Sequence, residues 1–221
     1  MVMTSELTKE EINRKLLHGL AVILPLSIFY GPELTGQPKV FVSWVFAVMF
    51  LLFLSIEWMR LNVDSFHSLF CRYFGGMMRE VENKQLTGAT YVMGGSSICS
   101  MIALYSHKSE AAVLLGLTLF ILGDAVAALV GKAFGRIRVG QKTLEGCLGC
   151  FIFCVLLAWF VFPQLPQFLE SWGGPFSIVQ ILLVSAAVSL LELFPIRLGK
   201  VVLNDNLYVP AVVSLAALIL P

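Results

Sequence analysis

Long apolar stretches separated by short polar segments dominate the chain. Seven of them are candidate membrane spans, at about residues 15–31, 40–58, 88–106, 110–131, 144–163, 176–194 and 207–220. A helix that crosses a bilayer needs roughly 20 predominantly apolar residues, so the last stretch is short for a span. The pattern therefore predicts an all-α, polytopic transmembrane helix bundle of about seven spans. We expect residues 1–221 to form a single integral-membrane domain.

The segment between the second and third stretches carries a different pattern. Apolar residues recur at spacings of three and four between Phe66 and Met78, and His67, Arg72 and Arg79 fall elsewhere. This arrangement is typical of an amphipathic helix that lies in the membrane interface. Two interpretations remain open. The helix packs on the bundle, or it borders a gate through which lipid reaches the interior.

Composition agrees with the membrane interpretation. The chain is 58% hydrophobic and 13% charged, whereas a soluble domain averages about 45–50% apolar and about 25% charged residues. We therefore expect a multi-pass integral membrane protein, located in the cell membrane if the source is prokaryotic. The formal net charge is only +1. Overall charge thus gives no reason to expect a nucleic-acid partner.

The distribution of lysine and arginine predicts the orientation. If the seven spans alternate, thirteen of the fifteen cations fall on one side of the membrane, and Lys39 and Lys108 fall on the other. Segments on the cytosolic side of membrane proteins are enriched in these residues. We therefore predict a cytosolic N-terminus and a C-terminus outside. The thirteen are Lys9, Arg14, Lys15, Arg60, Arg72, Arg79, Lys84, Lys132, Arg136, Arg138, Lys142, Arg197 and Lys200.

The stretch Gly123–Gly146 carries the most distinctive chemistry. An acid, Asp124, lies within an apolar helical run, and small residues follow at every fourth position. That spacing places them on one helix face, where a neighbouring helix or a ligand can approach closely. The small residues are Gly123, Ala127, Gly131 and Gly135, and the cations of the next loop are Lys132, Arg136, Arg138 and Lys142. An intramembrane carboxylate beside a glycine-rich cationic loop suits an anion held near a metal.

Two other interpretations of this loop are less favoured than an anion site. A nucleotide-binding P-loop needs Gly-x-x-x-x-Gly-Lys-Ser/Thr after a buried strand. Here Gln141 separates Gly140 from Lys142, and the preceding element is a membrane helix, which argues against a P-loop. The alternative is a cationic loop that only anchors the chain at the membrane surface. The buried acid and the glycines make that alternative less favoured.

A family resemblance follows from these residues. GDAVAALVGKAFGRIRVGQKTLEG resembles the core motif of the membrane lipid-alcohol kinases, which include phytol kinase, dolichol kinase and CTP-dependent diacylglycerol kinase. It is similar, more distantly, to phosphatidate cytidylyltransferase, which shares a Lys-Thr-x-Glu-Gly element. Other pieces resemble further kinase motifs and keep their order, so the resemblance spans nearly the whole chain. They lie at residues 14–18, 57–60, 86–91, 192 and 205–210.

The resemblance implies a kinase that transfers the γ-phosphoryl group of CTP to the hydroxyl of a lipid alcohol at the cytosolic face. The acceptor would be a prenol, polyprenol, phytol or diacylglycerol, with Mg²⁺ as the cation. It implies catalytic roles for Asp124, Lys142, Glu192 and Asp205, with Asp124 and Asp205 as metal ligands. It implies nucleotide binding by Arg14, His18, Gly123, Gly131, Lys132, Gly135, Arg136, Arg138, Lys142, Thr143, Glu145 and Asn206. It implies substrate binding by Glu57, Arg60, Glu82 and Thr87.

Several alternatives stay open. Glu57 and Arg60 are three residues apart on a helix and are equally expected as a structural ion pair. The whole chain could be a cytidylyltransferase, or a lipid carrier without chemistry, because intramembrane acids also mark transport pathways. Three of the five cysteines share one helix face, and we expect them to act as small buried hydrophobes. No internal repeat is apparent in the sequence.

Overall fold

A computed structural model describes residues 9–199 and 201–220, and within them the fold is a helical bundle. Its helices are α1 Lys9–Leu20, α2 Ile23–Thr35, α3 Lys39–Asn62, α4 Asp64–Phe74, α5 Gly88–Ile102, α6 His107–Phe134, α7 Leu144–Phe160, α8 Phe168–Trp172, α9 Ile178–Leu193 and α10 Asp205–Ile219. Short 3-10 turns occupy Gly75–Met77, Glu80–Lys84 and Phe162–Gln164. The predicted all-α class is therefore confirmed.

Helix α6 is the centre of the bundle. It has 28 residues and so spans roughly 42 Å at 1.5 Å per residue. Every residue from Ala111 to Ile121 is buried, and α6 contacts α1, α2, α5, α7, α9 and α10. Its small residues make this possible. A Cβ on Gly123 would lie 2.9 Å from the Cys150 sulfur of α7, so glycine permits the close approach.

Four segments are long and apolar enough to cross a membrane: Arg14–Thr35, Lys39–Asn62, His107–Phe134 and Leu144–Gln164. The other helices predicted as spans, α5, α9 and α10, have only 15, 16 and 15 residues. Many outward-facing side chains of α3 are large and apolar, including Trp44 at 67% exposure, as expected for a lipid-facing surface. The bundle is thus of the membrane type, and the count of seven spans stays a prediction.

The two cations predicted to lie outside meet at one end of the bundle. Lys39, at the start of α3, forms an ion pair with Glu110 near the start of α6. Lys108 donates hydrogen bonds of 3.3 Å to the carbonyls of Leu218 and Leu220 at the end of α10. Three helix ends that the alternating topology assigns to one side therefore lie together. Lys200, counted on the other side, lies outside the described residues.

Two nearly identical hairpins connect helix pairs at the other end. Strands β1 Arg138–Val139 and β2 Lys142–Thr143 join α6 to α7, and strands β3 Arg197–Leu198 and β4 Val201–Val202 join α9 to α10. Both are antiparallel in the same register. Their sequences, Ile-Arg-Val-Gly at 137–140 and Ile-Arg-Leu-Gly at 196–199, each end on a glycine with φ near +63°. The two hairpins therefore share a short local sequence and one register.

The amphipathic segment is shorter than its pattern predicted. Helix α4 ends at Phe74, and the chain continues through the two 3-10 turns that begin at Gly75 and Glu80. Two consecutive glycines, Gly75 and Gly76, follow the last helical residue, and glycine disfavours helix continuation. Met77 and Met78 consequently lie beyond α4.

Candidate functional site

One cavity of about 950 Å³ gathers most of the predicted site residues. Fourteen of the nineteen line it, although they come from segments spread between residues 14 and 206. They are Arg14, His18, Glu82, Thr87, Asp124, Gly131, Lys132, Gly135, Arg138, Lys142, Thr143, Glu192, Asp205 and Asn206. Residues that the sequence assigned to one site therefore surround one cavity in the fold.

Asp124 is paired with two residues of α1. Its Oδ2 lies 2.6 Å from the Lys15 ammonium and 3.5 Å from Nε2 of His18. Lys15 is only 7% exposed, so the ion pair is largely shielded from solvent. Lys15 was not among the predicted site residues. Its spacing of three from His18 on a helix was the available signal, because that spacing places both on one face.

Lys142 connects the β1–β2 hairpin to α9 and α10, which are the helices that the β3–β4 hairpin joins. Its Nζ lies 2.7 Å from Glu192 Oε1 at the end of α9 and 2.8 Å from Asp205 Oδ2 at the start of α10. Burial alone lowers the pKa of Lys142, but the two carboxylates outweigh it and raise the pKa above its ordinary value. Lys142 therefore stays charged at neutral pH and cannot serve as a base.

The loop at 135–146 is fixed by short contacts to α6. Thr143 caps α7, because its Oγ1 accepts a 3.1 Å hydrogen bond from the Gly146 amide. A Cβ on Gly131 would lie 2.5 Å from that same Oγ1, so only glycine fits there without displacing the cap. Glu145 accepts hydrogen bonds of 3.1 and 3.2 Å from the Ile137 amide and so closes the hairpin.

Five predicted residues do not line the cavity. Gly123 faces α7, Glu145 holds the hairpin, and Arg136 is exposed on it. The remaining two are Glu57 and Arg60, which are 3% and 1% exposed and bonded to each other. A binding role for these five residues remains a prediction. The buried residues Gly123, Glu57 and Arg60 make contacts that give each of them a structural role.

Arg60 and Glu57 form a buried clamp between α3 and the start of α5. Arg60 donates to the carbonyls of Glu82 and Gln85 at 2.8 and 2.6 Å. Glu57 Oε1 accepts from the Thr87 amide at 3.0 Å and from the Thr90 hydroxyl at 3.0 Å. Because all these partners are protein groups, the geometry favours the structural alternative for the pair.

The polar groups of the cavity include candidate ligands for a metal ion. Among the described residues, no group of three or more His, Cys, Asp or Glu side chains could hold a metal ion. Mg²⁺, however, usually takes one or two carboxylates together with substrate phosphates. Asp124 and Asp205 line the same cavity, and within the described chain the buried Oδ1 of Asn206 has no hydrogen-bond partner. These oxygens fit a cation that is shared with a nucleotide.

The opposite half of the cavity is apolar. It is lined by the apolar residues of α1 and α2, by Phe53 of α3, by Val92 and Met93 of α5, and by Phe70, Phe74, Met77, Met78 and Val81. Leu17, Leu20 and Ile23 line the cavity while being 48%, 67% and 64% exposed. An apolar lining that is this exposed shows that the cavity is open to the surroundings of the bundle.

A membrane helix bundle with a cavity that is cationic at one end and apolar at the other defines a class of lipid-modifying membrane protein. Comparison with known proteins agrees, since the family described as the cytidylyltransferase family matches residues 1–194. The chain therefore belongs to this family.

Three curated relatives illustrate the family. The chain is 27% identical over 157 residues to CTP-dependent diacylglycerol kinase 1 of Saccharomyces cerevisiae, covering 69% of this chain and 51% of that protein. It is 28% identical over 169 residues to the Schizosaccharomyces pombe protein of the same name, covering 74% and 73%. It is 35% identical over 103 residues to the Saccharomyces cerevisiae dolichol kinase, covering 44% and 17%.

The chain spans about half the length of the diacylglycerol kinases from Saccharomyces cerevisiae and Eremothecium gossypii that it matches. No solved structure matches the chain significantly.

Proposed function

We propose that the chain is a CTP-dependent kinase that phosphorylates the hydroxyl group of a lipid alcohol at the cytosolic membrane face. The observation that carries this proposal is one cavity whose lining combines cations and carboxylates with exposed apolar side chains. A polar phosphoryl donor and an apolar acceptor can meet only in a site with both characters. The names of the curated relatives support CTP as the donor.

Phosphoryl transfer depends on positioning and charge neutralisation more than on covalent chemistry. Arg14, Lys132 and Arg138 all line the polar end of the cavity and would bind the triphosphate oxygens. Gly131 and Gly135 also line the cavity, so the phosphates would pass close to this part of the chain. Lys142 would act differently, because its two carboxylate contacts hold the first hairpin against α9 and α10.

The carboxylates would perform the remaining roles. Asp124, Asp205 and Asn206 would hold a Mg²⁺ ion together with the phosphates, and the ion would supply neutralisation of the charge that develops during transfer. Glu192 or Asp124 would accept the proton of the attacking hydroxyl. Glu82 and Thr87, at the boundary with the apolar end, would orient that hydroxyl.

The second candidate is a cytidylyltransferase, which is favoured by the description of the matched family. Such an enzyme brings a lipid phosphate to the α-phosphorus and therefore needs cations for a second anionic substrate. After Lys142 the sequence offers only Arg197 and Lys200. The resemblance also implies a final Lys-Asp, Pro-Gly-His-Gly-Gly and Asp-Arg signature in cytidylyltransferases, and this sequence lacks it. A kinase with a neutral acceptor agrees better with both observations.

The deciding experiment follows the label from two positions of CTP. Purified protein is incubated with Mg²⁺, a panel of lipid alcohols and CTP labelled either at the γ-phosphate or in the cytidine. We expect CDP to be released and the γ-label to appear in the lipid. Release of pyrophosphate with cytidine label in the lipid would establish the cytidylyltransferase instead. Transfer of neither label to any acceptor would favour the carrier.

A further inference from the structure

The chain between Phe70 and Val81 forms one wall of the apolar half of the cavity, and we call it the aromatic–methionine segment. We propose that this segment binds the hydrocarbon next to the acceptor hydroxyl and determines which lipid alcohols the enzyme accepts. The inference rests on the proposed function, which leaves the identity of the acceptor open. The sequence pattern of this segment alone is compatible with packing on the bundle or with bordering a lipid gate.

The segment faces the cavity and the membrane at the same time. Phe74, Met77 and Val81 all line the cavity, yet they are 46%, 42% and 62% exposed. Leu20 and Ile23 also line the cavity and are 67% and 64% exposed. Two apolar walls that are open along their length admit a hydrocarbon chain from the side, and burial of each CH₂ group contributes about 0.8 kcal/mol.

Both ends of the segment are anchored to the bundle. At the first end, the guanidinium of Arg60 lies 5.7 Å from the centre of the Phe70 ring, which packs on Phe74 with centroids 4.9 Å apart. At the second end, Glu82 accepts hydrogen bonds of 2.8 Å from the Arg79 amide and 2.9 Å from the Gly88 amide. The wall therefore has fixed ends and a fixed place in the cavity.

The middle of the segment has the properties of a selective surface. Met77 and Met78 follow the end of helix α4 and line the cavity. Methionine side chains are flexible and polarisable, so they adapt to chains of different shape, whereas the Phe70 and Phe74 rings are rigid. Arg79 within the segment, and Glu82 and Thr87 beyond it, also line the cavity and mark the boundary with its polar lining. An acceptor hydroxyl would thus lie at that boundary, with its chain along the wall.

The first test needs no catalysis. Wild-type protein in lipid nanodiscs, without nucleotide, is cross-linked to a diacylglycerol and to a prenol that each carry a diazirine near the hydroxyl, and the labelled peptides are mapped. We expect labelling of residues 70–81 that excess unlabelled alcohol abolishes, alongside labelling of outward-facing residues that competition does not reduce. Labelling of the segment that resists competition, or its absence with both probes, would overturn the inference.

The second test measures selectivity. Phe74→Ala and Met77→Ala are compared with Leu69→Ala and Tyr73→Ala, which change exposed residues of α4 that do not line the cavity. We expect the first two to change the ratio of kcat/KM for diacylglycerol and phytol by at least about threefold, with the KM for CTP unchanged. The two control variants should keep the wild-type ratio. An unchanged ratio in Phe74→Ala and Met77→Ala would contradict the assignment.

These experiments distinguish a failure of the proposed binding wall from a failure of the proposed kinase function. Competed cross-links without any phosphorylation would retain the binding wall and reject the kinase. Phosphorylation without competed cross-links would retain the kinase and reject the wall. Should an alanine variant not fold, Phe74→Leu and Met77→Leu keep an apolar side chain of different shape, and the wild-type cross-linking decides independently of any variant.

Discussion

At the scale of single residues, two lysines of the cavity form ion pairs with acids from distant parts of the sequence. Lys15 contacts Asp124, which lies 109 positions away, and Lys142 contacts Asp205, which lies 63 positions away. A charge within a membrane bundle is costly unless it is paired, and such residues are functional candidates. Sequence reasoning selected the acids on this ground but could not pair them, because pairing depends on which helices become neighbours.

The first prediction concerns Asp124. Asp124→Asn keeps the size of the side chain and removes its charge, so it can neither attract a cation nor accept a proton. We expect the rate to fall by about 10²–10⁴ while the protein stays folded. The measurement is turnover of CTP in detergent-purified protein, with Glu170→Gln as a control because Glu170 is exposed and does not line the cavity. Activity within about tenfold of wild type would remove Asp124 from the site.

The pair itself can be separated from catalysis. Lys15→Met leaves the Asp124 carboxylate buried without its cation, and we expect a clear loss of thermal stability. Adding Asp124→Asn should restore much of that stability without restoring turnover. Recovery of activity in the double variant would mean that the two residues serve only the fold.

Another residue-scale prediction concerns the Arg60 clamp. Arg60→Met removes the cation from a fully buried pair, and breaking such a pair costs about 3–5 kcal/mol of folding stability. We expect a lower thermal unfolding midpoint, and partial recovery when Glu57→Gln is added. A stable Arg60→Met protein with only a raised KM for the lipid would support the original assignment of Arg60 to substrate binding.

At the scale of elements, the apolar stretches predicted the positions of the helices better than their lengths. The first stretch is divided between α1 and α2 by a turn at 21–22, and α4 stops before Met77. Hydrophobic pattern alone does not show where tertiary contacts or adjacent glycines interrupt a helix. The turn at 21–22 matters for the site, since it allows both α1 and α2 to line the cavity.

The contact between α6 and the first hairpin gives an element-scale prediction. Gly131→Ala would place a methyl group 2.5 Å from the Thr143 hydroxyl that caps α7. The hairpin must shift, and loss of such a cap costs about 0.5–2 kcal/mol. We expect a raised KM for CTP with a smaller effect on lipid KM. Gly19→Ala is the control, because its methyl group would meet only Leu122 at an ordinary 3.9 Å; a wild-type KM for CTP in Gly131→Ala would contradict the role of this contact.

At the scale of the whole molecule, fourteen of the nineteen residues that the sequence assigned to the site line one cavity. The charge pattern assigned the cationic loop to one membrane side, and Lys132, Arg138 and Lys142 of that loop line the cavity. The sequence indicated the Glu57–Arg60 ion pair as one alternative, but it could not predict the bonds of that pair to Glu82, Gln85 and Thr87 or the inward role of Lys15. Both depend on backbone groups and neighbours that come together only in the folded bundle.

The final prediction is the orientation of the bundle. We expect residues 132–143 to be cytosolic and residues 163–175 to be outside, since Lys39 and Lys108 mark the other end of the fold from the two hairpins. Single cysteines at Gln141 and Gln167, both exposed, are introduced into a variant without the five native cysteines. A membrane-impermeant thiol reagent added to intact cells should label position 167 alone, and permeabilised cells should be labelled at both positions. Labelling of position 141 from outside would place the hairpin that we propose to bind phosphate away from cytosolic CTP, and would contradict both the topology and the proposed kinase.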